Sequence, residues 1–173
     1  MVSLAADALF GAAPISASGS FGSVGAAILD CPRPVGSSAE LLMAHARAQP
    51  AQALVDLDRW VRDGGRVLLL ADPRLDWESG RPLGDKLRPP PAFADTGLLA
   101  HWGLTLSGPT TDGRGFLAST RPSRSCEVLS EGFIARCRIG AGSATIIADA
   151  DFLNGEPQSL DLLMDELGQL ESR

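Results

Sequence analysis

Aspartates close three of the apolar runs in this chain, and their placement suggests the chemistry. Gly25-Ala26-Ala27-Ile28-Leu29 ends at Asp30, Val67-Leu68-Leu69-Leu70-Ala71 ends at Asp72, and Ala144-Thr145-Ile146-Ile147-Ala148 ends at Asp149, with Asp151 two residues on. A run without polar alternation reads as a strand covered on both faces, as in a parallel sheet. Ligands of such sheets bind outside the carboxyl ends of the strands. Carboxylates gathered there offer hard oxygen ligands of the kind Mg²⁺ and Ca²⁺ prefer. The same aspartates can instead cap turns through their side chains, and both readings stand at this stage. Arg74, Asp76 and Trp77 follow Asp72 directly and join Asp30, Asp72, Asp149 and Asp151 as candidate ligand-binding residues.

Nucleophile chemistry is poorly served. There is no Gly-x-Ser-x-Gly elbow, and Cys31 is followed at once by Pro32. The two histidines are His45, on an expected helix, and His101, beside Trp102. The glycines at 19, 22 and 25, and those at 140 and 142, precede strands, the wrong order for a dinucleotide-binding turn. No catalytic residue, cofactor or resident metal is expected. Metal-assisted hydrolysis by the strand-end aspartates is the enzymatic alternative.

Cys126 and Cys137 flank a segment that reads as strand, turn, strand. A two-residue loop at Glu131-Gly132 pairs Ser130 with Phe133, and counting outward sets Cys126 opposite Cys137. Opposed residues in antiparallel strands lie close enough for a disulfide. Two separate buried thiols are the alternative. A bridge favours an oxidising, extracytoplasmic compartment.

The elements that must position these groups follow from patterning. Leu54, Leu57 and Val61 recur at helical spacing between Ala51 and Arg62, and Gly64-Gly65 lets the chain leave that helix for the strand ending at Asp72-Pro73. A short apolar helix is expected around Leu4–Phe10, and one capped by Ser37-Ser38-Ala39-Glu40 through Leu41, Leu42 and Ala46. Pro50 starts or kinks the next helix. Arg74 to Ala92 is a long, charged, proline-rich loop of the kind that carries function. A helix around Asp95–Trp102, capped by Asp95 or Thr96 and stopped by Gly103, leads to a strand at Leu104–Leu106. Antiparallel edge strands are expected between Gly108 and Arg138, and a last helix over Ser159–Leu170, with Leu160, Leu163, Met164 and Leu167 on one face.

The chain is 173 residues long with 45% hydrophobic and 21% charged residues, enough for a single α/β domain, with 1–25 as an N-terminal extension and 26–173 as core. The expected architecture is a three-layer sandwich around a mainly parallel sheet, flavodoxin-like or glutamine amidotransferase-like, with an antiparallel edge hairpin. A net charge of −6 disfavours nucleic-acid binding, which needs a basic surface. No apolar run reaches the roughly 20 residues of a membrane span. Met1 to Pro14 is a poor signal peptide, so any signal or anchor is expected outside this sequence.

Four stretches together resemble one family. Ile28-Leu29-Asp30-Cys31-Pro32-Arg33 comes first, and then Leu54-Val55-Asp56-Leu57-Asp58-Arg59-Trp60-Val61-Arg62-Asp63-Gly64-Gly65 with the strand closing at Asp72-Pro73. These are similar to the GldG-type auxiliary family of ABC transport systems. Leu98-Leu99-Ala100-His101-Trp102-Gly103-Leu104 and the Arg138–Asp149 segment, with its Gly140-Ala141-Gly142 element, resemble later parts of the same pattern. The resemblance covers roughly residues 26–155 and implies a scaffold shared with class I glutamine amidotransferase-like domains. It implies a non-catalytic, periplasmic or otherwise extracytoplasmic accessory or ligand-binding domain, partnered by membrane components of a transport system. It transfers no catalytic residue. A small-molecule sensor binding beneath the Arg74–Pro91 loop is a further possibility.

Overall fold

The computed structural model describes residues 40–85, 87–111, 113–120, 125–154 and 159–171. The expected helix at 4–10, the strand at 25–29, Asp30 and Cys31 lie outside the described residues. The described elements are β1 (Glu40–Ala44), α1 (Ala51–Arg62), β2 (Arg66–Leu70), α2 (Leu98–Trp102), β3 (Leu104–Ser107), β4 (Phe116–Ser119), β5 (Cys126–Leu129), β6 (Ile134–Ile139), β7 (Gly142–Ile147) and α3 (Ser159–Glu171). Together they form a mixed α/β fold. One five-stranded sheet has the order β1-β2-β7-β6-β5, and a separate two-stranded sheet pairs β3 with β4. β1, β2 and β7 run parallel, while β6 and β5 follow antiparallel.

The first correction concerns residues 40–44, which are a strand and not the continuation of a helix. Leu41 packs into the core that α1 and α2 cover, and its neighbour Leu42 into the core that α3 covers. Adjacent residues point to opposite faces only in a strand. Leu41 and Leu42 therefore serve two cores at once, which outweighs the helix preference of Glu, Leu, Met and Ala. β2 uses the same device: Val67, Leu69 and Ala71 face one core, and Leu68 and Leu70 the other.

α1 starts after Pro50 and ends at Asp63. The exit to β2 needs two glycines. Gly64 adopts φ 113°, and a Cβ on Gly65 would collide with the Trp60 ring. Gly142 sits against the carbonyls of Val61 and Gly65 with no room for a side chain, so β7 enters the sheet directly beneath the end of α1.

β5 and β6 meet at the expected turn. Phe133 N–H donates to Ser130 O at 3.0 Å, and Ser130, Glu131 and Gly132 adopt φ 49°, 55° and 94°, one positive value more than the two a two-residue hairpin loop requires. The register sets Cys126 opposite Cys137, and the two form a disulfide. β4 departs from expectation by pairing with β3 instead of joining the edge of the main sheet.

α2 is shorter than expected, with Asp95 Oδ1 accepting from Gly97 N and Leu99 N at its start and Gly103 at φ 87° closing it. Trp102 Nε1 donates to Asp58 Oδ1 at 2.8 Å, tying α2 to α1. On α3, Met164 is 46% exposed, contrary to the expected apolar face. The inward positions are Leu163, Glu166 and Leu170, because Glu166 answers Arg136 from β6 across two hydrogen bonds, at 3.0 and 2.6 Å. Among the described residues no helix is long and apolar enough to cross a membrane.

Candidate functional site

Parallel β2 and β7 deliver Asp72 and Asp149 to one edge of the sheet, since Leu70 lies beside Ile147 in register and both chains run on by two residues. The backbone fixes each carboxylate. Asp72 Oδ1 accepts from Arg74 N at 2.8 Å and its Oδ2 from Ala150 N at 3.0 Å, so this one side chain joins the ends of β2 and β7. Asp149 Oδ1 accepts from Asp151 N at 2.7 Å. Asp151 Oδ1 accepts from Asp76 N at 2.9 Å, which fastens the start of the long loop to the segment after β7.

One oxygen from each of Asp72, Asp149 and Asp151 lies within 4.8 Å of the others. Burial is the main force pushing both the Asp72 and Asp149 carboxyls above the ordinary carboxylate range. The negative charge of Asp151 adds to it at Asp72, and those of Asp72 and Asp151 at Asp149. Backbone N–H donors oppose the rise at both. The edge is therefore a place where added positive charge is favoured.

A fourth group, His45, belongs to this edge and is missed by the sequence pattern because the residues before it read as helix. Its N–H donates to Leu70 O at 3.2 Å, which sets it beside the end of β2. Its backbone adopts φ 48°, turning the chain out of the strand. The ring is only 2% exposed and Nε2 lies 2.9 Å from Pro90 O. Nδ1 is buried and has no hydrogen-bond partner among the described residues. Burial lowers the His45 pKa from its ordinary value, against the opposing pull of the Pro90 carbonyl and the Asp151 charge. The imidazole is thus neutral, with its proton on Nε2 for Pro90 and an unshared lone pair on Nδ1. The visible clue was Leu41-Leu42-Met43-Ala44, an apolar run closed by a polar residue like the aspartate-ended strands.

The remaining candidates separate. Arg74 and Asp76 pair with each other at 2.9 Å, both more than half exposed, and so face solvent. Trp77 is half-buried in the loop. The loop returns to the same edge, since Leu75 N donates to Pro91 O and Phe93 N to Asp72 O, at 2.9 and 2.7 Å. Arg47 braces its far side through the carbonyls of Asp85 and Arg88. His101 lies elsewhere, 3.5 Å from Asp58 on the α1–α2 surface.

No protein-family model matches the chain, and no curated protein matches it. Among solved structures, the exo-beta-1,4-mannosidase Op5Man5 from Opitutaceae bacterium strain TAV5 aligns over 83% of this chain, at 18% identity and a TM-score of 0.47. The chain spans 26% of that neighbour's length. A likeness of this size carries no argument about the site.

Proposed function

We propose that the chain is a non-catalytic, extracytoplasmic accessory domain of the kind found in GldG-type auxiliary proteins of ABC transport systems. Its scaffold is read as a three-layer, glutamine amidotransferase-like sandwich. The observation that carries the reading is the use made of the strand-end aspartates: Asp72, Asp149 and Asp151 each accept backbone N–H groups of the surrounding loops. That use builds a rigid ligand-binding edge, and no serine or cysteine nucleophile stands in the set. The Cys126–Cys137 disulfide supports an oxidising compartment, the periplasm or its equivalent. The run from α1 through Gly64-Gly65 to β2 and Asp72-Pro73 supports the family resemblance.

The test is fractionation of the tagged chain from its native cell under thiol trapping, followed by purification from detergent-solubilised membranes. The expected result is an extracytoplasmic protein with Cys126 and Cys137 bridged, which co-purifies with ABC permease and ATPase subunits. A cytoplasmic protein with both thiols alkylated overturns the proposal.

A second reading, a metal-dependent hydrolase, is favoured by one observation, the three carboxylate oxygens within 4.8 Å. It requires metal-dependent turnover, which the accessory reading does not.

A further inference from the structure

We propose that Asp72, Asp149 and Asp151 form a Ca²⁺ site, one oxygen from each aspartate binding the ion and water filling the remaining positions, with one such water donating to Nδ1 of His45. The inference stands whether or not the chain serves a transporter. Two independent observations meet in it. The first is the geometry of the oxygens, all within 4.8 Å of one another. Calcium holds its oxygens at about 2.3–2.6 Å, so opposite ligands sit roughly 4.6–5.2 Å apart and neighbouring ones closer. The set fits inside that shell as it stands. Magnesium, at about 2.0–2.1 Å, demands near-ideal octahedral geometry and keeps most of its waters, so three carboxylates fixed by backbone bonds suit the more adaptable calcium shell.

The second observation is His45. A neutral imidazole buried to 2% exposure, with Nδ1 lacking a partner among the described residues, is a group that calls for an ordered water or ion. Nε2 is taken up by Pro90, which leaves Nδ1 as the acceptor of the ring. Asp151 is the charged group whose field reaches the ring. A water held by a cation at the carboxylates is a strong donor for this nitrogen. The ligand set itself is all carboxylate oxygen, which suits an ion that prefers oxygen.

The backbone supports the ligands as outer partners do in a built metal site. Each carboxylate is oriented by at least one backbone N–H donor. A site assembled from two turns, those after β2 and β7, also ties the long loop to the sheet. Its affinity is expected in the range of extracellular modules, about 10⁻⁴–10⁻³ M.

The test is calorimetric titration of the EDTA-treated full chain with CaCl₂, and separately with MgCl₂. One Ca²⁺ per chain in that affinity range is expected, with Mg²⁺ at least tenfold weaker. At Ca²⁺ ten times the dissociation constant, the folded-to-unfolded ratio should rise about elevenfold. Asp149→Asn and Asp151→Asn should each weaken binding at least tenfold, while Asp56→Asn, which removes the same charge from the Arg59 pair on the surface of α1, leaves it unchanged. Terbium luminescence of the unsubstituted protein under direct excitation is the second measurement, with Ca²⁺ displacing the emission. No saturable binding below 10 mM Ca²⁺, an equal loss in Asp56→Asn, or terbium emission that Ca²⁺ does not displace overturns the proposal.

Discussion

Replacing Arg136 by methionine leaves the Glu166 carboxylate, 3% exposed, without its partner and inside a nearly dry layer between β6 and α3. In the native protein Arg136 Nε and Nη2 donate to the two Glu166 oxygens at 3.0 and 2.6 Å, and the carboxylate beside it raises the Arg136 pKa. Breaking such a pair from one side costs about 3–5 kcal/mol, because the charge left behind has neither water nor a counter-ion. Arg136→Met should therefore lose about 3–5 kcal/mol. Arg136→Met/Glu166→Leu should recover most of the loss, since two apolar side chains leave no stranded charge. Urea unfolding followed by far-ultraviolet circular dichroism reads both. A loss below about 1 kcal/mol, or a double variant as unstable as the single one, refutes the reasoning.

Replacing both Cys126 and Cys137 by alanine should cost about 3 kcal/mol, the chain entropy released when a bridge across a separation of 11 residues is opened. Urea midpoints together with unreduced peptide mapping test this, and free thiols in the exported protein contradict it. The Asp72 and Asp149 carboxyls, both raised above their unfolded values, contribute stability that is complete below about pH 3.9 and is lost as the pH rises through their folded values. Asp58, lowered chiefly by its bonds from Arg62 and Trp102 against the cost of burial, acts the other way and loses its contribution as the pH falls. In EDTA, Asp149→Asn should therefore gain on the unsubstituted protein between pH 4 and pH 7. A difference between the two that stays flat over that range would count against the like-charge cluster.

What the sequence revealed tracks where local pattern and tertiary demand agree. α1, the glycine exit, β2, β7 and the Cys126–Cys137 register are legible because apolar periodicity, turn residues and burial all point one way. Leu41 and Leu42 were hidden because nothing local distinguishes Glu-Leu-Leu-Met-Ala from a helix, and only pairing with β2 between two cores decides it. A helical reading of that strand carries His45 with it and hides its place at the edge where β2 ends. Glu166 was invisible for a similar reason. A polar residue inside an amphipathic stripe declares itself only through its partner on another element, here Arg136. Asp72 and Asp149 were legible as neighbours because parallel strands closed by the same residue type must end on the same edge.

The central claim, a rigid carboxylate edge that binds and does not turn over substrate, is tested most directly by assaying the full chain for phosphatase and esterase activity across Ca²⁺, Mg²⁺ and Mn²⁺ titrations that also report binding. The account predicts saturable Ca²⁺ binding with no metal-dependent turnover. Reproducible turnover that requires the metal, and that Asp149→Asn abolishes while the fold survives, contradicts it.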